Sequence, residues 1–282
     1  MSHWLYFYQH IPFHLSPTAF SIKGFSVDWY SLTYIIGFIT VYLLLKYRIK
    51  KKENTFEFSF QKLLDFLFFA FAGLLLGGRL GYVFFYNFSY YFKNPLAIIS
   101  PIDPVTHDFI GIYGMSYHGG LIGVVLFSWI FTKIYKVNFY KLANFIIPAV
   151  PAGYFFGRIG NFFNGELYGR VTSKPWGMYF SSDPVGILRH PSQVYEAILE
   201  GIVIFFFLWI IRNKINFQNK LLGIYLISYA VFRIIVEFFR EPDPQIGYIF
   251  SFLTLGQILS LLMMLLGVLL VVYSKKNKKV LK

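Results

Sequence analysis

Seven predominantly apolar stretches of roughly 20 residues, divided by short basic or proline-containing segments, constrain this chain more than any other feature. They run from about Trp29 to Leu45, Leu63 to Tyr86, Ile112 to Tyr135, Leu142 to Phe163, Val194 to Ile211, Leu221 to Phe239 and Leu255 to Tyr273. Each is long enough to cross a hydrocarbon core as a helix. Inside lipid the backbone has no water to bond, so it must satisfy itself by winding into a helix. The chain is 56% hydrophobic and 14% charged, whereas soluble domains carry about 25% charged residues. The expectation is an all-α polytopic membrane protein with seven transmembrane helices, forming a single membrane domain over residues 1–282.

The basic residues set the orientation. Sixteen of the 26 Lys and Arg fall on one side of the runs, in clusters at 46–52, 133–141, 212–220 and in the tail. Lys62 joins them, while only Lys23, Lys93, Arg170, Lys174, Arg189 and Arg240 fall on the other side. An excess of Lys and Arg marks the cytoplasmic face. The N-terminus is therefore expected outside and the C-terminus in the cytoplasm. Residues 1–25 then form an outer surface segment, 87–110 and 164–190 small polar outer connections, and 274–282 a basic cytoplasmic tail. The net charge of +13 is a topology signal of this kind and implies no nucleic acid. With no cysteine, the chain has no disulfide, no thiolate nucleophile and no Cys metal site. The first 25 residues show no cleavable signal peptide.

Polar residues interrupt the runs, and on this topology they collect in the outer half. Tyr30 opens the first run, Arg79 lies in the second, and His118 lies about two turns into the third. Arg158 and Asn161 lie near the end of the fourth, His190 and Ser192 precede the fifth, and Arg233, Glu237 and Arg240 descend the sixth. Ionisable residues in a spanning helix face the bundle or a wet cavity. Arg158, Asn161 and Asn164 recur every third residue, and Arg233 and Glu237 are four apart, so each set shares a helix face. Structural alternatives stand beside these readings. Arg233 with Glu237 also fits a buried ion pair. Gly77, Gly78 and Gly81 fit close helix packing better than ligand contact. His190 before Pro191 also fits a simple cap. Glu196 and Glu200, in the fifth run, fit partners for arginines better than acids or bases.

Guanidinium groups in an apolar cavity suit an anionic head group, because their planar fork matches phosphate oxygens. No H-E-x-x-H or G-x-S-x-G pattern is present, so the chain's own residues do not spell a hydrolase. They suit a transfer in which two substrates react with each other. A lipid or anion transporter with an arginine-lined outer-leaflet cavity is the alternative, although no internal repeat is visible. A seven-span receptor or scaffold would leave the polar cluster unexplained.

The stretch from Gly157 to Gly169 carries the pattern G-R-x-G-N-F-x-N-x-E-x-x-G. With Gly77-Gly78-Arg79-Leu80-Gly81, Ser116-Tyr117-His118-Gly119-Gly120, Arg189-His190-Pro191-Ser192-Gln193 and the segment Phe232 to Arg240, it resembles the bacterial prolipoprotein diacylglyceryl transferases over essentially the whole chain. Tyr168 departs slightly, standing where relatives often carry Trp. The resemblance implies transfer of the diacylglyceryl group of phosphatidylglycerol to the lipobox cysteine of a prolipoprotein signal peptide. A thioether forms and glycerol phosphate is released, as the first step of lipoprotein maturation. It implies a bacterial inner-membrane enzyme whose active site faces the outer leaflet, with membrane lipids as surroundings and neither cofactor nor metal. His118, Arg158 and Arg233 are then the expected catalytic residues. Arg158, Asn161, Glu166, Gly169, Tyr30, Arg79, Glu237 and Arg240 are the expected phosphatidylglycerol-binding residues.

Overall fold

The structure is a computed structural model describing residues 3–22, 25–53, 58–100, 102, 114–242, 248–249 and 253–276. Lys23, Pro104, the start of the third run at Ile112, Asp243 with Pro244, and the tail beyond Lys276 lie outside the described residues. In chain order the helices are α1 (His3–Gln9), α2 (Ile11–His14), α3 (Trp29–Lys50), α4 (Phe60–Phe85), α5 (Phe88–Lys93), α6 (Tyr117–Ile134), α7 (Phe139–Ile146) and α8 (Val150–Phe163). They continue with α9 (Ser192–Glu196), a π-helical segment (Ala197–Val203), α10 (Ile204–Ile211), α11 (Leu221–Glu237) and α12 (Leu255–Lys276). Two antiparallel hairpins, β1 (Thr18–Ile22) with β2 (Phe25–Asp28) and β3 (Tyr248–Ile249) with β4 (Leu253–Thr254), depart from the all-α expectation. Both are short and lie outside the apolar runs, where the backbone is free of the constraint that lipid imposes.

Six helical stretches are long and apolar enough to cross a membrane: 29–50, 60–85, 117–134, 139–163, 192–211 and 255–274. The sixth expected run appears as α11, of 17 residues. Large apolar side chains such as Phe68, Phe206, Leu262 and Leu269 stand exposed on these helices, as a lipid solvent allows. This is a polytopic membrane protein.

The chain divides into two compact units, residues 1–53 with 143–282, and residues 54–142. In the second unit, α4 begins at the Ser59 cap, whose hydroxyl accepts from the Lys62 amide at 3.2 Å. It continues unbroken through Gly77-Gly78-Arg79-Leu80-Gly81. Those glycines meet the glycines of α6. A Cβ on Gly123 would fall 2.0 Å from the Gly73 carbonyl oxygen, and one on Gly77 would fall 2.4 Å from that of Gly119. Small residues spaced four apart let two helix backbones touch, which is how helices associate where lipid removes the hydrophobic drive. Below this seam, Phe131 is fully buried among Phe58, Phe66 and Phe69.

The first unit packs α3 on α8, α8 on the π segment, and α11 on α12. Its apolar centre is Ile204, Leu208, Ile211 and Leu221. At one end, Glu53 accepts from Arg48 Nε at 3.0 Å and from Arg212 Nε and Nη2 at 2.9 and 3.0 Å. At the other end, residues 164–190 form a tied loop. The Gly169 amide donates to the His190 carbonyl at 2.8 Å, that of His190 to Arg170 at 3.0 Å, and that of Thr172 to Leu188 at 2.9 Å. Arg189 forks onto buried Asp183, Nε to Oδ2 at 2.9 Å and Nη2 to Oδ1 at 3.1 Å. Those bonds hold the Asp183 carboxyl below its ordinary range, against burial, which pushes it up. The N-terminal segment docks on this loop. Gln9 Nε2 donates to the Pro175 carbonyl at 3.0 Å, the Tyr179 amide donates to the Gln9 carbonyl at 2.8 Å, and His10 stacks on Tyr179.

Candidate active site

The site is built on three helices of the first unit. Tyr154, Arg158 and Asn161 fall at intervals of four and three on α8, so they line one face. Pro148 and Pro151 sit in the opening turns before and within α8, where missing amide protons cost nothing. Glu196 closes α9, and Glu200 lies in the π segment that follows. Segments of π-helix are rare and often accompany function. Arg233 and Glu237 come from α11, and Arg240 from just beyond it.

Glu196 joins these elements. Its carboxylate is fully buried, and both oxygens are taken. Oε2 lies 2.7 Å from Arg158 Nε, while Oε1 lies 3.1 Å from Arg233 Nη1 and 3.0 Å from Arg240 Nη1. Arg233 Nη2 also lies 2.8 Å from Glu237 Oε2. The Thr254 hydroxyl donates to Glu237 Oε1 at 2.9 Å. Removing one partner of a buried pair costs about 3–5 kcal/mol, because the remaining charge is stranded. Three guanidiniums are thus fixed around one carboxylate. Each keeps a margin of exposure, with side chains 15% (Arg158), 13% (Arg233) and 12% (Arg240) accessible. An anion entering here meets oriented donors that need not rearrange.

A second line of contacts fixes Arg158. Its Nε lies 2.7 Å from the Tyr154 hydroxyl, its carbon centre stands 4.8 Å from the Tyr154 ring centroid, and Nη1 donates to Asn161 Oδ1 at 3.2 Å. Asn161 Nδ2 in turn donates to Glu166 Oε1 at 2.8 Å. Glu166 therefore holds the arginine through Asn161. Gln193 Nε2 donates to the Glu166 carbonyl at 2.6 Å, tying this loop to the start of α9. Gly165 sits in the left-handed region at φ +66°, where the chain turns out of α8. Gly169 is demanded by a close approach: a Cβ there would fall 2.3 Å from the Phe239 carbonyl oxygen and 2.8 Å from that of His190.

Eight of the ten expected site residues lie in this unit: Tyr30, Arg158, Asn161, Glu166, Gly169, Arg233, Glu237 and Arg240. Tyr30 stays outside the ionic network and donates to the Tyr34 hydroxyl at 3.0 Å, on the α3 face that meets Gly160. Arg79 and His118 belong to the other unit. Arg79 donates to the carbonyls of Ile98 and Ala97, both at 2.7 Å, and of Gly114 at 3.3 Å, and it stacks on Tyr91. Its fork braces the chain after α4. His118 lies in the first turn of α6 and not two turns in, because the helix begins only after Gly114, at φ +85°, and the Ser116 cap. Its imidazole is exposed, edge-on to Tyr117. His190 bonds through Nδ1 with the Tyr195 hydroxyl at 3.0 Å, beside Phe239. Burial, then nearby Lys174, lowers its pKa, so it is neutral at pH 7.

Tyr154, Arg170 and Thr254 are participants the sequence did not reveal. Arg170 Nε donates to the Arg240 carbonyl at 2.8 Å, closing the 164–190 loop onto the end of α11. A tyrosine in an apolar run reads as core, and a backbone acceptor leaves no side-chain pattern. Among the described residues no cluster of His, Asp and Glu converges as a metal site.

The family described as prolipoprotein diacylglyceryl transferase matches residues 17–273 of this chain. The phosphatidylglycerol--prolipoprotein diacylglyceryl transferase of Chlorobaculum tepidum is 48% identical over 272 residues, covering 96% of this chain and 93% of that protein. The protein of the same name from Rickettsia bellii is 44% identical over 261 residues, covering 92% and 95%. That from Campylobacter jejuni is 41% identical over 274 residues, covering 96% and 98%.

Proposed function

The chain belongs to the prolipoprotein diacylglyceryl transferase family, and on that premise we propose that it moves the diacylglyceryl group of phosphatidylglycerol onto the lipobox cysteine of prolipoproteins. The sulfur of the cysteine bonds to the glyceryl carbon, the carbon–oxygen bond to phosphate breaks, glycerol phosphate leaves, and the thiol proton is given up. The observation that carries this reading is the trio Arg158, Arg233 and Arg240 fixed on buried Glu196. A phosphodiester with one negative charge becomes a phosphate monoester with nearly two, so charge grows on the leaving oxygens. Pre-oriented guanidiniums in a dry site favour that change over the ground state.

Arg158 and Arg233 stabilise the departing phosphate. Asn161 and Glu166 hold Arg158 and orient the head group, with Tyr30, Glu237 and Arg240 around them. Gly169 shapes the loop that borders the site. The nucleophile is the substrate's own thiol, whose ordinary pKa of about 8.5 calls for a base or a positive field. His118 is the proposed base, since imidazole is the side chain most often used to take a proton in catalysis. The basic clusters at 46–52, 133–141, 212–220 and beyond 274 support seven spans with the N-terminus outside. On that orientation the arginine trio lies in the outer half of the cell membrane, where an exported cysteine arrives.

Purified protein given phosphatidylglycerol and a lipobox peptide with a free cysteine is expected to yield a diacylglyceryl thioether and glycerol phosphate. Phospholipid hydrolysis alone, or lipid movement across vesicles without a chemical product, would reject the transferase and favour the transporter. His118→Asn is expected to abolish turnover while lipid binding persists, and full turnover in that variant would remove His118 from the chemistry.

A further inference from the structure

The Tyr154 hydroxyl and the Glu200 carboxyl are buried beside the trio, and the reaction described above uses neither. The hydroxyl oxygen lies 2.7 Å from Arg158 Nε and accepts a hydrogen bond from it. A phenol carries one proton of its own, which must then go to another acceptor. Two carboxylates are in reach. Glu200 Oε2 is hydrogen-bonded to the hydroxyl, and Glu196 Oε2 lies 3.3 Å away. Glu200 is fully buried, and its other oxygen, Oε1, has no hydrogen-bond partner among the described residues. Tyr154 is therefore the partner that explains a carboxyl at this depth, where an unpaired polar group is costly.

The backbone brings the pair together. Glu200 lies in the π segment, and the next residue, Gly201, presses on α8: a Cβ there would fall 2.8 Å from the Cβ of Phe155, the neighbour of Tyr154. Tyr229 on α11 packs edge-on against the Tyr154 ring, with centroids 5.7 Å apart. The ring also lies beneath the Arg158 guanidinium. Tyr154 thus sets both the height and the direction of Arg158.

We infer that Glu200 is a positioning residue for diacylglyceryl transfer: it holds the Tyr154 proton away from Glu196, so that Tyr154 presents a lone pair to Arg158 and Glu196 stays free for the three arginines. This rests on the transferase reading above. Without Glu200, the next acceptor for the phenol is Glu196 Oε2, the oxygen that Arg158 already uses. Two donors then compete for that oxygen, and Arg158 loses its fixed aim at the leaving phosphate.

The test is a double-mutant cycle in the thioether assay, with kcat, KM for phosphatidylglycerol and the unfolding midpoint read for each protein. Misplacing a group by about 1 Å can cost on the order of 100-fold. Glu200→Met and Tyr154→Phe are each expected to lower kcat by about 10- to 100-fold with KM moved less than about threefold, because Arg158 acts on charge that grows in the transition state. The double variant should be no slower than Tyr154→Phe alone. Glu200→Gln keeps an acceptor oxygen for the phenol and should recover most of the rate. Multiplying losses, a full-rate Glu200→Met, or a Glu200→Gln as slow as Glu200→Met would each overturn the inference. If Glu200→Met does not fold, Tyr154→Phe decides alone: a slowed kcat with the unfolding midpoint held supports the inference, and full rate overturns it. Wild-type protein that forms no thioether overturns the transferase reading together with this inference. An active wild type whose variants break the pattern overturns this inference only.

Discussion

Where α4 meets α6, glycines let two backbones touch along a seam that holds no charged side chain, and the Tyr135 hydroxyl donates to Asp65 only at its far end. Where α8 meets α9 and α11, the contact is made by long charged side chains converging on Glu196. Both are helix contacts in a membrane protein, yet they represent opposite uses of free energy. The glycine seam gains from dispersion and close packing and fixes shape alone. The ionic junction carries the desolvation of several charges, and apolar residues of similar size would often hold helices as well or better. The difference teaches where to look for chemistry: a polar junction that packing does not require is there for its ligand. The glycine seam has no such claim.

Four changes test that contrast. The largest effect is expected from Glu196→Leu, which strands three arginines: about 3–5 kcal/mol of stability should be lost in detergent unfolding. An unchanged midpoint would mean that the arginines find other partners and that the junction is not organised by Glu196. Next, Arg158→Lys keeps the charge but loses the planar fork held by Tyr154 and Asn161. Its thioether-forming rate should fall about 100- to 1,000-fold, or about 2.7–4 kcal/mol in the barrier, with a smaller stability loss than Glu196→Leu. A rate near wild type would reduce Arg158 to a structural ion.

Gly123→Ala should act in the opposite sense, on stability and not on chemistry. Its methyl group would be driven into the Gly73 carbonyl, and overpacking of this kind costs about 1–3 kcal/mol. The KM for phosphatidylglycerol should stay unchanged in the fraction that folds. The smallest effect concerns the 164–190 loop. Asp183 titrates below its ordinary value near 3.8. Its bond to Arg189 therefore stabilises the loop fully above that value and is lost as pH falls through the folded-state pKa. Protection of the 164–190 amides, corrected for the intrinsic exchange rate at each pH, should fall as pH falls through the folded-state pKa of Asp183, and Asp183→Asn should show the lowered protection already at neutral pH. Exchange that ignores both changes would show the loop to be held elsewhere.

Much of the site could be read in the chain. Arg158, Asn161 and Glu166 stand in one thirteen-residue pattern, and the spacing of Arg233 and Glu237 announced a shared face that the structure closes as an ion pair at 2.8 Å. Glu196 was legible as a partner for arginines, although not as the shared partner of three, because sharing depends on three helices meeting at one depth. Tyr154 was hidden by its type, and the π segment by its nature, since one widened turn leaves no mark on an apolar run. His118 falls in the first turn of α6 because the helix begins only after the Ser116 cap, inside the apolar stretch. Arg79 pairs with carbonyl groups, and these exist at every residue.

The docking of Gln9 on Pro175 and Tyr179 bears on how the protein is made. These contacts join residues 166 positions apart in one case, and the pair Arg212–Glu53 joins residues 159 apart. The unit that holds the arginine trio begins at the N-terminus, is interrupted by the whole of residues 54–142, and resumes at 143. At about 5–20 residues per second of synthesis, the first helices wait on the order of ten seconds for the loop and helices that complete them. Meanwhile the inserted unit, with its glycine seam contained in one continuous stretch, can assemble. Synthesis thus supplies the helix pair of the inserted unit first and the charged junction last, since Glu196 waits for Arg240, which follows 44 residues later.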